Sequence, residues 1–155
     1  MKNISIIPME EKHISSIAAL EKMCFSDPWS ENSIGSELNN SLSLWLVAIA
    51  DDKLVGYIGS QSAAGESDMM NVAVSPECRN CGVATELIDV LITELKKRDM
   101  DALTLEVRES NTAAICLYEK LGFTTVGIRP NYYFHPRENA LIMRKELKDH
   151  ENLSY

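Results

Sequence analysis

Short apolar runs and helically spaced apolar residues alternate along the chain, and their order predicts an α/β protein. Runs rich in β-branched and aromatic residues predict seven strands, at 3–8, 43–50, 54–63, 67–75, 102–108, 123–129 and 139–147. Helical spacing and capping signals predict four helices, at 9–25, 30–39, 83–98 and 111–122. Short turns join the early strands and helices join the later ones. This order predicts a mixed sheet with helices on both faces, an α/β/α arrangement of three layers.

Glu21 interrupts the apolar stripe of the first predicted helix. That stripe consists of Ile14, Ile17, Ala18, Cys24 and Phe25.

A turn follows at "FSDPWSENS", where Pro28 disfavours helix at the residue before it and Ser30 can cap the second helix. The third helix has the uninterrupted stripe Ala84, Leu87, Ile88, Leu91 and Leu95.

Composition and charge are typical of one globular domain. The 155 residues suffice for one sizeable core and are few for two domains. Because no apolar run approaches the roughly 20 residues of a membrane span and no signal-peptide pattern is visible, we expect a cytoplasmic protein without a membrane partner. The net charge of −8 argues against binding to nucleic acid. It suits a basic protein partner, and equally a surface whose charge only maintains solubility.

The cysteines favour neither a disulfide framework nor a metal site. Cys24, Cys78, Cys81 and Cys116 are too few and too scattered for a disulfide framework. A zinc site needs about four ligands, and the histidines form no ligand-spaced pair, so no metal is expected. A redox dithiol at the C-x-x-C pair, Cys78 and Cys81, stays an alternative without a thioredoxin-like context.

The stretch "VAVSPECRNCGVATELI" has the features of an anion-binding turn. A predicted strand leads into a basic, glycine-containing turn and then into a helix, whose first N–H groups are unpaired and lie at the positive end of its dipole. Gly82 lets the backbone approach an anion, Ala84 is nearly as small, and Arg79 can pair with its charge. The pattern is neither a P-loop nor a dinucleotide motif. A plain strand–turn–helix explains the spacing equally well.

These residues resemble the acyl-CoA-binding motif of the GNAT superfamily of N-acetyltransferases, Gln/Arg-x-x-Gly-x-Gly/Ala. The resemblance implies a GNAT fold with a mostly antiparallel central sheet, one domain over residues 1–155, and a flexible tail from about residue 148. It implies acetyl-CoA as co-substrate, with its pyrophosphate on the loop and its pantetheine arm along the preceding strand. The implied contacts are Val72, Ala73, Val74, Arg79, Asn80, Cys81, Gly82, Val83, Ala84 and Thr85.

The stretch "LTLEVRESNTAAICLYEKLGF" offers a second set of polar residues. Glu106 lies on a polar face of a strand that is otherwise apolar, which suggests a cleft on that side. Asn111 and Tyr118 are seven residues apart, so they lie on the same face of the predicted helix. The residues alone fit equally well a solvated Glu106, a capping Asn111 and a Tyr118 that packs in the core.

With "IRPNYY" and "NALIM", the chain closely resembles the ribosomal-protein alanine N-acetyltransferase branch of that superfamily, over residues 3–146. The resemblance implies that Glu106 is the general base, Tyr118 the general acid and Asn111 a contact to the pantetheine arm. An α-ammonium has a pKa of about 7.7–8.0 and must lose a proton before attacking a thioester, and a carboxylate can accept that proton. Asn139 is a departure, since this branch often carries an acid there.

Aromatic residues in two predicted loops suggest a surface that grips a peptide. By the resemblance, the acceptor groove is lined by Pro28, Trp29, Asn131, Tyr132 and Tyr133. The implied acceptor is a basic protein N-terminus, the N-terminal alanine of a small-subunit ribosomal protein. Core packing explains each aromatic residue as well. Acetyl transfer to small amines or lysine side chains, and a non-catalytic acetyl-CoA sensor, are the alternative functions, and the sequence does not specify an oligomeric state.

Overall fold

The computed structural model describes residues 3–148, and its elements follow the predicted order. The strands are β1 (Ser5–Pro8), β2 (Ser43–Ala50), β3 (Lys53–Ala63), β4 (Glu66–Val74), β5 (Ala102–Arg108), β6 (Thr124–Phe134) and β7 (Arg137–Glu146). The helices are α1 (Ile14–Cys24), α2 (Glu31–Leu38), α3 (Val83–Lys97) and α4 (Thr112–Lys120), with 3-10 turns at Glu11–His13 and Pro76–Cys78. The predicted tail after residue 148 lies outside the described residues. No helix in the described part of the chain is long and apolar enough to span a membrane.

The chain forms two compact units. The first comprises residues 3–61 together with Met70–Thr93, and the second comprises Ser62–Met69 together with residues 94–148. Because β3, β4 and α3 cross these boundaries, each of them contributes residues to both units. That the whole chain acts as one domain stays a prediction.

In the first unit the strand order is β1-β2-β3-β4. β2 pairs antiparallel with both β1 and β3. The fully buried side chains of Ile17 and Ile34 bring α1 and α2 against Val47 of β2 and Tyr57 of β3. This apolar cluster holds the segment between α1 and α2 over one part of the sheet.

The first turn of α3 is held close to β3 and the end of β4. A Cβ added at Gly56 of β3 would lie 3.0 Å from the carbonyl oxygen of Ala73 and 3.3 Å from a methyl group of Val83. Four positions of the predicted α3 stripe, Leu87, Ile88, Leu91 and Leu95, are completely buried. Glycine at position 56 therefore permits a close approach that fixes where α3 begins.

In the second unit the strand order is β4-β5-β7-β6. β5 runs parallel to β4 over Glu66–Asp68, and β7 runs antiparallel to both β5 and β6. β5 buries every second residue, which leaves Thr104, Glu106 and Arg108 on its half-exposed face as predicted. The mixed, mostly antiparallel sheet inferred from the sequence is confirmed.

One expectation from the sequence is wrong. The stretch 129–134 is not a loop, because β6 continues to Phe134 and its register with β7 resumes at Tyr133↔Glu138 after an irregular segment that contains Pro130. A proline without an N–H group is tolerated at such a bulge on the edge of a sheet. Glu21, which interrupts the predicted apolar stripe of α1, is only 1% exposed, and two N–H donors satisfy its carboxylate.

Candidate active site

The turn between β4 and α3 presents consecutive backbone N–H groups without protein acceptors. The N–H groups of Asn80, Cys81 and Gly82 make no hydrogen bond to any residue between 3 and 148. Helix α3 begins at Val83, and its first N–H groups, like those of any α-helix, lack intrahelical acceptors. Successive free N–H groups at a helix N-terminus form a concavity that attracts anions.

The backbone conformation of this turn requires the residue types found there. Asn80 and Gly82 have φ angles of 62° and 82°, in the left-handed region that glycine and asparagine tolerate best. A Cβ added at Gly82 would meet nothing within 4 Å. The positive φ, and not crowding by the protein, therefore explains the glycine.

The Arg79 side chain lies against the end of β4. Its Nε donates to the carbonyl oxygen of Val74 at 3.2 Å, and its Nη2 lies 3.3 Å from Sγ of Cys24. Cys78 and Cys81 are free thiols, and Cys81 Sγ contacts the carbonyl oxygen of Arg79 at 3.5 Å. Arg79 thus fixes the turn to the strand while it keeps a positive charge beside the free N–H groups.

The last residues of β4 have left the ladder with β5. Their register ends at the pair Asp68↔Thr104. Beyond it, the N–H group of Val72 donates to Oδ1 of Asn71 at 3.2 Å, and the carbonyl of Val74 accepts from Arg79. Backbone groups that bond to nearby side chains are available to exchange those partners for an extended, amide-containing ligand.

Glu106 and Arg129 form an ion pair on the polar face of β5. Arg129 Nε lies 2.7 Å from Oε2 of Glu106, whose side chain is 27% exposed. Burial and the negative charge of Glu106 raise the pKa of Tyr132, while the positive charge of Arg129 opposes that change. The β6–β7–β5 pairing therefore gathers a carboxylate, a guanidinium and a phenol.

Tyr118 is a buried phenol with a proton that is hard to remove. Burial raises its pKa to about 12. Its ring makes an edge contact with Phe123 at 5.8 Å, and its hydroxyl group has no hydrogen-bond partner within residues 3–148. Asn111 caps α4, since its Oδ1 accepts from the N–H of Ala114 at 3.2 Å. The packing and capping roles considered from the sequence are thus both observed.

Arg108 organises the end of β6, a role that sequence reasoning missed. Its guanidinium lies 4.3 Å from the centre of the Tyr133 ring and donates to the carbonyl oxygens of His135 and Pro136. It also pairs with Glu138 at 3.2 Å. The predicted position of Arg108 on the polar face of β5, next to Glu106, was the feature of the sequence that could have indicated this role.

Tyr132 and Tyr133 form an aromatic pair, with ring centres 5.0 Å apart and nearly perpendicular planes. Burial, followed by the charges of Tyr132 and Glu106, raises the pKa of Tyr133 to about 12, against the effect of Arg108. Both phenols are therefore neutral hydrogen-bond donors near neutral pH.

Asn139, the departure from the expected acid, supports the bulge in β6. Its Oδ1 accepts the N–H of Asn131 at 3.0 Å. Asn131 has a φ of 54°, which an asparagine adopts readily. The amide therefore stabilises the conformation that leads into Tyr132.

Pro28 and Trp29 belong to the first unit. The Trp29 ring packs edge-on against Trp45 at 5.3 Å, and Trp45 stacks on Tyr57 at 5.6 Å. The N–H of Trp29 donates to Oε1 of Glu21 at 2.8 Å. Trp29 thus contributes to core packing, while Pro28 is exposed next to it.

The predicted residues thus fall into two groups. The first unit holds the loop and the strand assigned to acetyl-CoA together with the Pro28–Trp29 segment, and the second unit holds the acid–base pair, Asn111 and the remaining acceptor residues. Within residues 3–148, no group of three or more His, Cys, Asp or Glu side chains is placed to hold a metal ion.

Residues 14–123 match the model of the acetyltransferase (GNAT) family. The chain belongs to this family, and its architecture is the α/β GNAT fold that the sequence predicted.

Within the family, the chain is similar to ribosomal protein bS18-alanine N-acetyltransferases. It is 37% identical to that of Salmonella typhimurium over an alignment of 146 residues that covers 92% of this chain and 96% of the relative. It is 38% identical to that of Haemophilus influenzae over an alignment of 129 residues that covers 80% of this chain and 86% of the relative. The crystal structure of the ribosomal-protein-S18-alanine N-acetyltransferase from Escherichia coli superposes with a TM-score of 0.88 at 34% identity, covering 99% of this chain and 100% of that one.

Proposed function

We propose that the protein transfers the acetyl group of acetyl-CoA to the α-amine of an N-terminal alanine, the acceptor being a basic ribosomal protein of the bS18 type. The observation that carries this proposal is the near full-length similarity to enzymes named for that reaction. Their names specify an acetyl group as the group transferred to nitrogen, alanine as the acceptor residue and ribosomal protein bS18 as the acceptor protein. The net charge of −8 suits a basic acceptor.

The turn before α3 suits the pyrophosphate of acetyl-CoA. The free N–H groups of residues 80–82 and the start of α3 supply donors for its oxygens. Arg79 adds a positive charge, and the end of β4 offers the backbone of Val72–Val74 to the amides of the pantetheine arm. Asn111 is proposed as a further contact to that arm. Bound in this way, the co-substrate supplies an activated thioester.

Glu106 is proposed as the base. Its carboxylate is half-exposed on the polar face of β5, so that an α-ammonium can reach it directly or through a water molecule. The acceptor cation has to compete with Arg129 for the same oxygen. Once the proton is removed, the neutral amine attacks the thioester carbon with no covalent enzyme intermediate.

Tyr118 is proposed as the acid. The pKa of about 12 keeps its phenol protonated at neutral pH, which a donor to a departing thiolate requires. Its hydroxyl group makes no competing hydrogen bond in the described chain. The proton can therefore be given to sulfur without first breaking another interaction.

Pro28 and Trp29 of the first unit are proposed as contacts to the acceptor peptide, as are Asn131, Tyr132 and Tyr133 of the second unit. Exposed proline and half-exposed aromatic rings provide apolar area with polar tips, which suits an extended peptide. Arg108 keeps the Tyr133 ring in place through its stacking contact.

The direct test is CoA release from acetyl-CoA with a peptide that begins Ala-Arg and contains a lysine, and with an N-terminally blocked copy. Wild type, Glu106→Gln and Glu109→Gln are compared, the last being an exposed carboxylate three residues away. We expect turnover of the free peptide alone, a decrease of roughly 10²–10⁴-fold in Glu106→Gln, and normal turnover in Glu109→Gln.

The alternatives predict other results. Equal turnover of the blocked peptide would assign the activity to lysine side chains. Turnover of small amines but not of the peptide would indicate a small-molecule acetyltransferase. Tight acetyl-CoA binding without turnover of any amine would favour a sensor.

A further inference from the structure

Glu21 is a buried carboxylate that the proposed chemistry does not use. It lies on the inner face of α1 and is 1% exposed. Within residues 3–148 it forms no ion pair with a lysine or arginine, and its contacts are two N–H donors. Burial raises its pKa, while the bond from the Trp29 N–H acts in the opposite direction.

Stability alone does not explain this residue. Removing a carboxylate from water is costly, and even buried ion pairs are often replaced by apolar residues of similar size without loss of stability. The position is surrounded by apolar neighbours in the same helix, among them Ile17, Ala18 and Leu20. A geometric role for the two oxygens of the carboxylate is the remaining physical explanation.

Each oxygen of Glu21 holds a different segment of the first unit. Oε1 accepts the backbone N–H of Trp29 at 2.8 Å, eight residues along the chain. Oε2 accepts Nδ2 of Asn71 at 2.7 Å, fifty residues along the chain. The Asn71 side chain in turn restrains the backbone of Val72, because its Oδ1 accepts the N–H of Val72 at 3.2 Å.

We infer that Glu21 is a positioning residue that fixes the acceptor segment at Trp29 and the acetyl-CoA strand at Val72 relative to each other. The roles of these two segments rest on the proposed function. Trp29 is restrained by its N–H bond and by its edge contact with Trp45, so the exposed Pro28 is presented in one orientation. Through Asn71, the same carboxylate fixes the backbone at the start of the strand that would bind the pantetheine arm.

The test compares Glu21→Gln with two matched variants. Glutamine keeps the size of the side chain but has one acceptor oxygen, so one of the two N–H donors faces an NH₂ group and the two segments are no longer fixed relative to each other. Asn71→Ala removes the connection to Val72 and leaves the bond between Glu21 and Trp29. Glu37→Gln is the control, since Glu37 is also a buried carboxylate of the first unit, 8% exposed, and accepts from Gln61 at 2.7 Å.

We expect Glu21→Gln to raise both the KM for the Ala-Arg peptide and the Kd for acetyl-CoA, each on the order of tenfold, the size expected for one lost hydrogen bond to a charged group. Asn71→Ala should raise the Kd for acetyl-CoA and leave the peptide KM unchanged. Glu37→Gln should change neither. Steady-state kinetics, calorimetric binding of acetyl-CoA and thermal unfolding are measured on every variant.

A Glu21→Gln protein with a lower melting temperature but wild-type KM and Kd would overturn the inference, because the residue would then only support the core. If Glu21→Gln does not fold, Asn71→Ala decides, and an unchanged acetyl-CoA Kd overturns the inference. If wild type fails to acetylate the peptide, the proposed function fails separately. The acetyl-CoA Kd of Glu21→Gln, if raised, then still supports the positioning of the strand, and if unchanged overturns it.

Discussion

Arg129 of β6 pairs with the carboxylate of Glu106 of β5 across the intervening strand β7, at 2.7 Å. The guanidinium is 56% exposed and the carboxylate 27%, so the pair is open to solvent and to a competing cation. An acceptor α-ammonium therefore approaches a carboxylate that already has a cationic partner. The acceptor therefore binds only if its attraction to Glu106 exceeds that of Arg129.

Arg129→Gln should tighten acceptor binding. Removing the competing cation frees Glu106 for the α-ammonium, and an ion pair this exposed is worth about 0.2–1 kcal/mol. The KM for the Ala-Arg peptide should decrease by up to about fivefold, with the KM for acetyl-CoA unchanged. Arg137→Gln, the same change of charge at an exposed position of β7, should leave both constants as they are. A rise in the peptide KM in Arg129→Gln would contradict the competition.

Tyr118→Phe should lower turnover and leave the fold intact. Phenylalanine keeps the contact with Phe123, and the lost hydroxyl group has no hydrogen-bond partner in the described chain. We expect kcat to fall by about a hundredfold without a change in the KM for acetyl-CoA. Tyr57→Phe is the matched control, because it removes a buried hydroxyl group that also lacks a partner. Equal kcat values for wild type and Tyr118→Phe would exclude Tyr118 as the acid.

Alkaline pH should destabilise the protein through Tyr118. Its pKa is about 12 in the folded protein against 10.0 for an ordinary tyrosine, so the unfolded chain loses the proton first. The stabilisation is complete below about pH 10 and is lost as pH rises toward 12, with a loss of about 2–3 kcal/mol. Urea unfolding at about pH 8 and about pH 12 measures it. Tyr118→Phe should show a smaller loss of stability over the same interval, and an equal loss would assign the effect to other groups.

Gly82→Ala and Gly35→Ala should have opposite effects. The φ of 82° at Gly82 strains any side chain, so alanine should cost about 1–2 kcal/mol and weaken acetyl-CoA binding. Gly35 lies inside α2, and an added Cβ would make an ordinary 3.5 Å contact with Ile14. Alanine there should stabilise the protein by about 0.5–1 kcal/mol with unchanged acetyl-CoA affinity. Chemical unfolding and calorimetry measure both, and a stable Gly82→Ala protein with normal affinity would contradict the role of the turn.

The fold was predictable because its determinants are local. The alternation of apolar and polar residues along β5 predicted the polar face that carries Glu106. The helical spacing of apolar residues predicted the buried stripe of α3. Ser30 and Asn111 both cap the helices that they were expected to cap. Each of these signals depends on residues within a few positions of one another.

The features that could not be predicted from the sequence depend on contacts between residues far apart in the chain. Glu21 reads as a polar interruption until Asn71, fifty residues away, is placed beside it. The Arg129–Glu106 pair requires knowing that β6 and β5 both border β7. The extension of β6 to Phe134 depends likewise on pairing with β7, which outweighs the local effect of Pro130.

The chain has two tryptophans, and the structure places both in one aromatic cluster. Trp29 touches Trp45, and Trp45 lies flat on Tyr57 with only 4° between the ring planes. All indole fluorescence of the protein therefore originates beside Pro28, in the segment proposed to receive the acceptor. A peptide that disturbs this segment should change the wavelength and intensity of the tryptophan emission. The intrinsic fluorescence of the unmodified protein therefore reports acceptor binding.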